Sequence, residues 1–263
     1  MRPLRAVYRY IKNSYRSRED IKQVNIGDNK YIVWANEDIG KKLLLTRSYE
    51  MAETAAFRRY VTAGDMCLDI GGNIGYYSLN LARFCGRQGH VYTFEPMQRN
   101  AQVIALAAEI NGLDNISVIQ QAVSNVSGTI ALTIPEQDGA YAHISTRGLE
   151  QNAAAIECTT VDSFTEKNRL TRVDVIKIDV EGAEQRVLEG AAHLLGDSAT
   201  APRIIMVELV NHFLSRYGAS VDQVIQLMGN YGYRPHYALN NGELAPFTPS
   251  DIDSIFNVFF IKK

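Results

Sequence analysis

The feature that most constrains this chain is the run Asp69-Ile70-Gly71-Gly72-Asn73-Ile74-Gly75. Before it, Met66-Cys67-Leu68-Asp69-Ile70 reads as a short apolar strand ending in an acid, and Ile74–Phe84 reads as an apolar helix after it. Glycines at such a junction let the backbone approach a ligand closely, and Gly71 can take a positive φ without strain. In an open α/β sheet, ligands bind beyond the carboxyl ends of the strands. The run therefore points to a fold class and to a place for a site.

Strand and helix patterns continue to alternate. Val91–Phe94 is a strand, and Pro96 suits the first turn of a helix that runs to about Ile110 and stops at Asn111-Gly112. Ile116–Ile119, Val173–Ile178 and Ile204–Leu209 are further strands, the last two each followed by a helix. This alternation implies a mostly parallel sheet covered by helices on both faces. Between Val123 and Val161 the pattern turns strand-rich, with turns at Ser127-Gly128 and Asp138-Gly139, and reads as an insertion near the ligand side. Tyr233–Ala238 and Phe256–Ile261 close the chain as a hairpin.

Residues 1–62 read as an N-terminal extension and 63–263 as the main domain. Leu4, Val7, Tyr8, Ile11 and Tyr15 recur at helical spacing among six basic residues, and 1–18 holds no acid. Such a helix could touch an anionic membrane surface or pack its apolar side on the domain. Gln23–Ile26 and Tyr31–Ala35 flank Gly27-Asp28-Asn29 as a hairpin. Ser48 is placed to cap a helix reaching about Tyr60, with Glu50 and Glu53 near its positive end.

Composition excludes several classes. The formal net charge of −2 does not suit a nucleic-acid binder. No apolar run approaches the ~20 residues of a membrane span. Cys67, Cys85 and Cys158 are widely spaced, which argues against a disulfide scaffold or zinc site and fits a cytoplasmic location.

The glycine spacing is not the dinucleotide fingerprint. From Gly71 it would need glycine at 73 and 76, where Asn73 and Tyr76 stand; from Gly72 it would need glycine at 74 and 77, where Ile74 and Tyr77 stand. A dinucleotide-dependent oxidoreductase, and a non-catalytic nucleotide-binding module, are the competing readings. Asp69 before the loop suits a ligand with a positive group, such as the amino group of S-adenosylmethionine, which carries no phosphate; it could also cap the loop. Glu95 ends the next strand, 24 residues after Gly71, where a carboxylate can accept both ribose hydroxyls. Its alternative is a helix-start acid. Gln121 and Ala122 follow the third strand and could face an adenine ring.

Together, Leu68 through Ser78, Phe94-Glu95-Pro96, Ala122-Val123-Ser124, Thr160-Val161-Asp162 and Lys177-Ile178-Asp179-Val180-Glu181-Gly182-Ala183-Glu184 resemble the FkbM family of methyltransferases. The resemblance runs from about Met66 to His193, and Gly72 stands where alanine is frequent. It implies the Rossmann-like class I α/β fold, a seven-stranded sheet whose last strand is antiparallel. It further implies methyl transfer from S-adenosylmethionine, typically to oxygen on a sugar, glycan or secondary metabolite. Cofactor-binding positions are then Asp69, Gly71, Asn73, Gly75, Tyr77, Glu95, Gln121 and Ala122.

A hydroxyl is a poor nucleophile until its proton leaves, so a base or a metal is expected. Asp179, ending its strand, is the first candidate, since an apolar strand end would favour its protonated form. Glu181, Glu208 and His212 are the others. Glu181 could instead serve the helix start, and a lone His212 could be a surface residue. Asp179, Glu208 and Asn211 could alternatively hold a divalent cation. Lys177 is given no catalytic role. Tyr76, Tyr77, Tyr141 and His143 could line the site, and Glu136–Arg147 could form a lid.

Overall fold

The computed structural model describes residues 21–133, 143–145, 153–248, 251 and 255–262. The basic segment 1–18, Tyr141 and most of Glu136–Arg147 lie outside the described residues.

The chain begins with β1 (Ile21–Ile26) and β2 (Asn29–Trp34), an antiparallel hairpin whose turn is Gly27-Asp28. Two helices follow, α1 (Asp38–Thr46) and α2 (Met51–Tyr60). The first has no counterpart in the sequence-based expectations. The second does not use Ser48 as its cap: Glu50 is the N-cap, in the left-handed region at φ 41°, and the Ser48 hydroxyl bonds Thr46.

The central sheet opens with β3 (Met66–Ile70), α3 (Tyr76–Cys85), β4 (His90–Phe94), α4 (Gln98–Asn111) and β5 (Ile116–Ile119). Met97 caps α4, so Pro96 stands before the helix rather than in its first turn. Next come β6 (Ala122–Val123), β7 (Gly128–Thr133), β8 (His143–Ile144) and β9 (Ala153–Thr159), which form a separate four-stranded sheet in the order β6-β9-β7-β8. The strand-rich insertion is therefore present. The chain continues through α5 (Val161–Lys167), β10 (Val175–Ile178), α6 (Glu184–Glu189), α7 (Ala192–Gly196) and β11 (Ile204–Glu208). It closes with α8 (Asn211–Leu214), α9 (Val221–Asn230), β12 (Tyr233–Ala238), β13 (Leu244–Pro246) and β14 (Asn257–Lys262).

The central order is β13-β12-β14-β11-β10-β3-β4-β5. Neighbours from β11 to β5 are parallel, and β14 runs antiparallel between β11 and β12. This is the seven-stranded class I arrangement, with β13 added at one edge. The last two long strands pair as expected, but β13 lies between them in sequence.

Alternation along the strands sorts the core into two faces. Cys67, Val91, Val175, Met206 and Phe259 face one cluster; Leu68, Ile176, Ile178, Val207 and Phe260 face the other. The first cluster also contains Tyr31, Trp34, Leu43 and Phe57, so residues 21–60 pack on the sheet and share its core. Trp34 donates its indole N–H to Asn100 of α4 at 3.1 Å, and Phe57 sits edge-on to Tyr77 and Phe259. No helix among the described residues is long and apolar enough to cross a membrane.

Candidate active site

The chain order reverses between β3 and β10, and the crevice above that reversal is where such sheets hold ligands. A cavity opens there, walled by residues from four strand ends, the extension and the insertion.

Its first wall is the loop after β3. Gly71 has φ +85°, and its N–H and that of Gly72 both donate to Phe94 O at 3.0 Å. A Cβ on Gly71 would lie 1.8 Å from the carbonyl oxygen of Asp179, so only glycine fits. Gly75, at φ 84°, is the N-cap of α3 and packs on Ile104. Asn73, also at positive φ, donates its N–H to Glu95 at 2.8 Å, and its buried Oδ1 has no hydrogen-bond partner. Glu95 also accepts from Met97 N–H at 2.8 Å; burial pushes its carboxyl up to about 7 against these bonds. Gln121 and Ala122 complete this end, the former bonded to Glu157 at 2.8 Å.

Three expected cofactor contacts, Gly75, Asp69 and Tyr77, are not on the cavity wall. Asp69 is fully buried beneath the loop, accepting from Ser78 at 2.5 Å, and is not on the cavity wall. Burial raises its carboxyl, opposed by Lys177 and Ser78. Tyr77 is buried, and its hydroxyl donates to Glu50. Tyr76 likewise turns inward, donating to Tyr49 O at 2.7 Å.

The opposite wall is acidic. One carboxylate oxygen from each of Asp179, Glu181 and Glu208 lies within 4.8 Å of the other two. Glu208 is raised well above the usual carboxylate range, first by the Asp179 charge and then by burial. Glu181 is pushed up to about 8 by burial, then by Asp179 and Glu184. Glu181 is left-handed at φ 59°, and its Oε2 is buried without a partner. Such a group could share a proton or hold one hard cation.

The acid in the first turn of α6 is Glu184, and its carboxylate closes the loop before the helix, accepting from Val180 and Gly182 N–H at 3.0 Å. His212 is exposed and off the cavity wall, where its neighbour Phe213 stands instead. Asn211 is exposed and off the cavity wall, and its Oδ1 accepts from Val221 N–H at 3.1 Å. Of the cation set suggested by sequence, Asp179 and Glu208 come together, and Glu181 stands with them.

Further wall residues come from outside the strand ends. Asp38, Ile39 and Tyr49 come from the extension, while His143, expected near the site, and Ile144 come from the insertion. Tyr217 donates to Ile144 O at 2.6 Å, tying the insertion to the segment after β11. Lys177, set aside on sequence, is buried on a central strand between Asp69 and Asp179.

The methyltransferase FkbM domain model matches residues 69–235. Methyltransferase 1 of Beauveria bassiana (strain ARSEF 2860) is 24% identical over 196 residues, covering 65% of this chain and 75% of that one. Among solved structures, methyltransferase FkbM from Methylobacillus flagellatus KT is 15% identical with a TM-score of 0.44, covering 76% of this chain and 43% of that one. A SAM-dependent methyltransferase from Aquifex aeolicus is 14% identical with a TM-score of 0.46, covering 85% and 93%.

Proposed function

The chain belongs to the FkbM methyltransferase family, and from that premise we propose that it transfers the methyl group of S-adenosylmethionine to a hydroxyl oxygen of a sugar, glycan or secondary metabolite. One observation carries this reading: a single cavity has the glycine loop and Glu95 at one end and three carboxyl groups at the other.

The residues fit the donor. The unpartnered Oδ1 of Asn73 can accept from the ammonium of its amino-acid part. Glu95, on the wall after β4, can accept from the ribose hydroxyls. Gln121 and Ala122, on the same cavity wall, can face the adenine. When bound, this cofactor supplies a methyl carbon activated by a positive sulfur.

The protein must then align the acceptor and take its proton. Asp179, ion-paired with Lys177 at 3.2 Å, receives the proton. The Asp179 charge and burial raise the Glu208 carboxyl, which suits it to donate a hydrogen bond to the acceptor. Tyr49 and Phe213 line the cavity with these acids, and aromatic residues there suit a sugar ring.

Asp179→Asn tests the assignment. S-adenosylhomocysteine affinity should stay within about threefold, while turnover with labelled methyl donor falls by about 10²–10⁴-fold. Unchanged turnover would remove Asp179 from the mechanism. Running the assay with EDTA and with added magnesium separates proton sharing from a cation held by the three acids.

A further inference from the structure

Lys177 occupies a place that core packing does not explain. Its strand neighbours Ile176 and Ile178 enter the apolar cluster on one sheet face. Lys177 projects to the other face and is 3% exposed, with its ammonium 5.5 Å from the centroid of the Tyr77 ring. An ammonium has three protons to place. One goes to Gly71 O at 3.0 Å and one to Asp179 Oδ2 at 3.2 Å. The remaining neighbour, Asp69 Oδ1, is 3.8 Å away and has no hydrogen-bond partner of its own. The short contacts are therefore to the glycine loop and the acid at the acceptor end, and the longer one is to the buried acid beneath. A lysine present only to neutralise Asp69 would show the reverse.

Burial opposes the charge on Lys177, but Asp179, Asp69 and Glu50 outweigh it and hold the amine protonated. Lys177 is thus a fixed cation and not a proton acceptor. Two backbone contacts brace the same unit: Asp179 N–H donates to Ile70 O at 3.0 Å, and Gly71 abuts the Asp179 carbonyl.

We propose that Lys177 is a positioning residue, whose ammonium ties the Gly71 carbonyl to the Asp179 carboxylate and so sets the acceptor-end acid in register with the cofactor loop. It acts on the acceptor through Asp179 and on the cofactor through Gly71. The proposal rests on the methyltransferase reading and can fail separately from it.

The test is a double-mutant cycle with Lys177→Met and Asp179→Asn, read by S-adenosylhomocysteine calorimetry and by turnover. Lys177→Met should weaken S-adenosylhomocysteine at least tenfold and lower kcat at least tenfold. In the Asp179→Asn background it should lower kcat less than threefold further, while the affinity loss persists. An equal fractional loss of kcat in both backgrounds, or affinity within threefold of wild type, overturns the proposal. If Lys177→Met does not fold, Lys177→Arg keeps the charge but changes the head group. It should retain S-adenosylhomocysteine and lose at least tenfold in kcat with little change in acceptor KM; wild-type kcat overturns the proposal. Wild-type protein that binds no S-adenosylhomocysteine would instead overturn the methyltransferase reading.

Discussion

Gly71 and Asp179 pack so closely that a Cβ on Gly71 would stand 1.8 Å from the Asp179 carbonyl oxygen. The loop at the cofactor end and the strand that carries the acid are thus one braced unit. Gly71→Ala meets both this clash and the cost of φ +85° for a residue with a side chain. The left-handed conformation alone costs about 1–2 kcal/mol, and a loss of ~1.4 kcal/mol is tenfold in affinity. Relieving the strain moves the loop off Asp179, and binding must restore it, so S-adenosylhomocysteine should bind at least about tenfold more weakly by calorimetry. Wild-type affinity would mean that cofactor binding does not need the loop held against Asp179.

A Cβ on Gly72 would meet Cγ2 of Thr93 at 2.3 Å and Cδ1 of Ile104 at 3.1 Å. The Thr93 methyl fills the space an alanine would need, while the Ile104 tip can rotate. Gly72→Ala should cost about 1–3 kcal/mol by chemical denaturation, the usual range for overpacking. Thr93→Ser, added to it, removes the clashing methyl and should recover most of that loss. Equal losses with and without Thr93→Ser would place the strain elsewhere.

Glu181 gives the site a pH-dependent stability. Its carboxyl is raised to about 8, by burial first and then by Asp179 and Glu184. Between its ordinary 4.5 and about 8, the folded chain holds a proton that the unfolded chain has released. Its contribution is therefore fully present below the lower value and is lost as pH rises through the folded one. Glu181→Gln should raise Tm relative to wild type by an increment that grows across that window and levels off above it. A constant offset from pH 5 to pH 8 would contradict the raised carboxyl.

The strand-helix alternation made the central sheet legible, because a parallel strand buried on both faces writes a continuous apolar run into the sequence. The Ile116–Ile119 strand is where its pattern put it. The glycine loop was legible because positive φ and close packing leave few residue types free. Tyr49 was not, since its place on the wall depends on how the extension packs against α3. Asp69 shows the same limit: a strand-end acid reads as a ligand contact until burial and Ser78 place it beneath the loop. For Lys177, alternation gave the side chain's face but not what waits there, Asp69 of the neighbouring strand in register. His212 had the right neighbourhood, but α8 turns Phe213 to the cavity instead.

The central claim is that this cavity holds S-adenosylmethionine. The direct measurement is calorimetric titration of the wild-type protein with S-adenosylhomocysteine, with NAD as the control. The account predicts one molecule bound per chain for the first and no heat of binding for the second. Binding of NAD alone would contradict it, and with it the reading of the glycine loop as a site without phosphate.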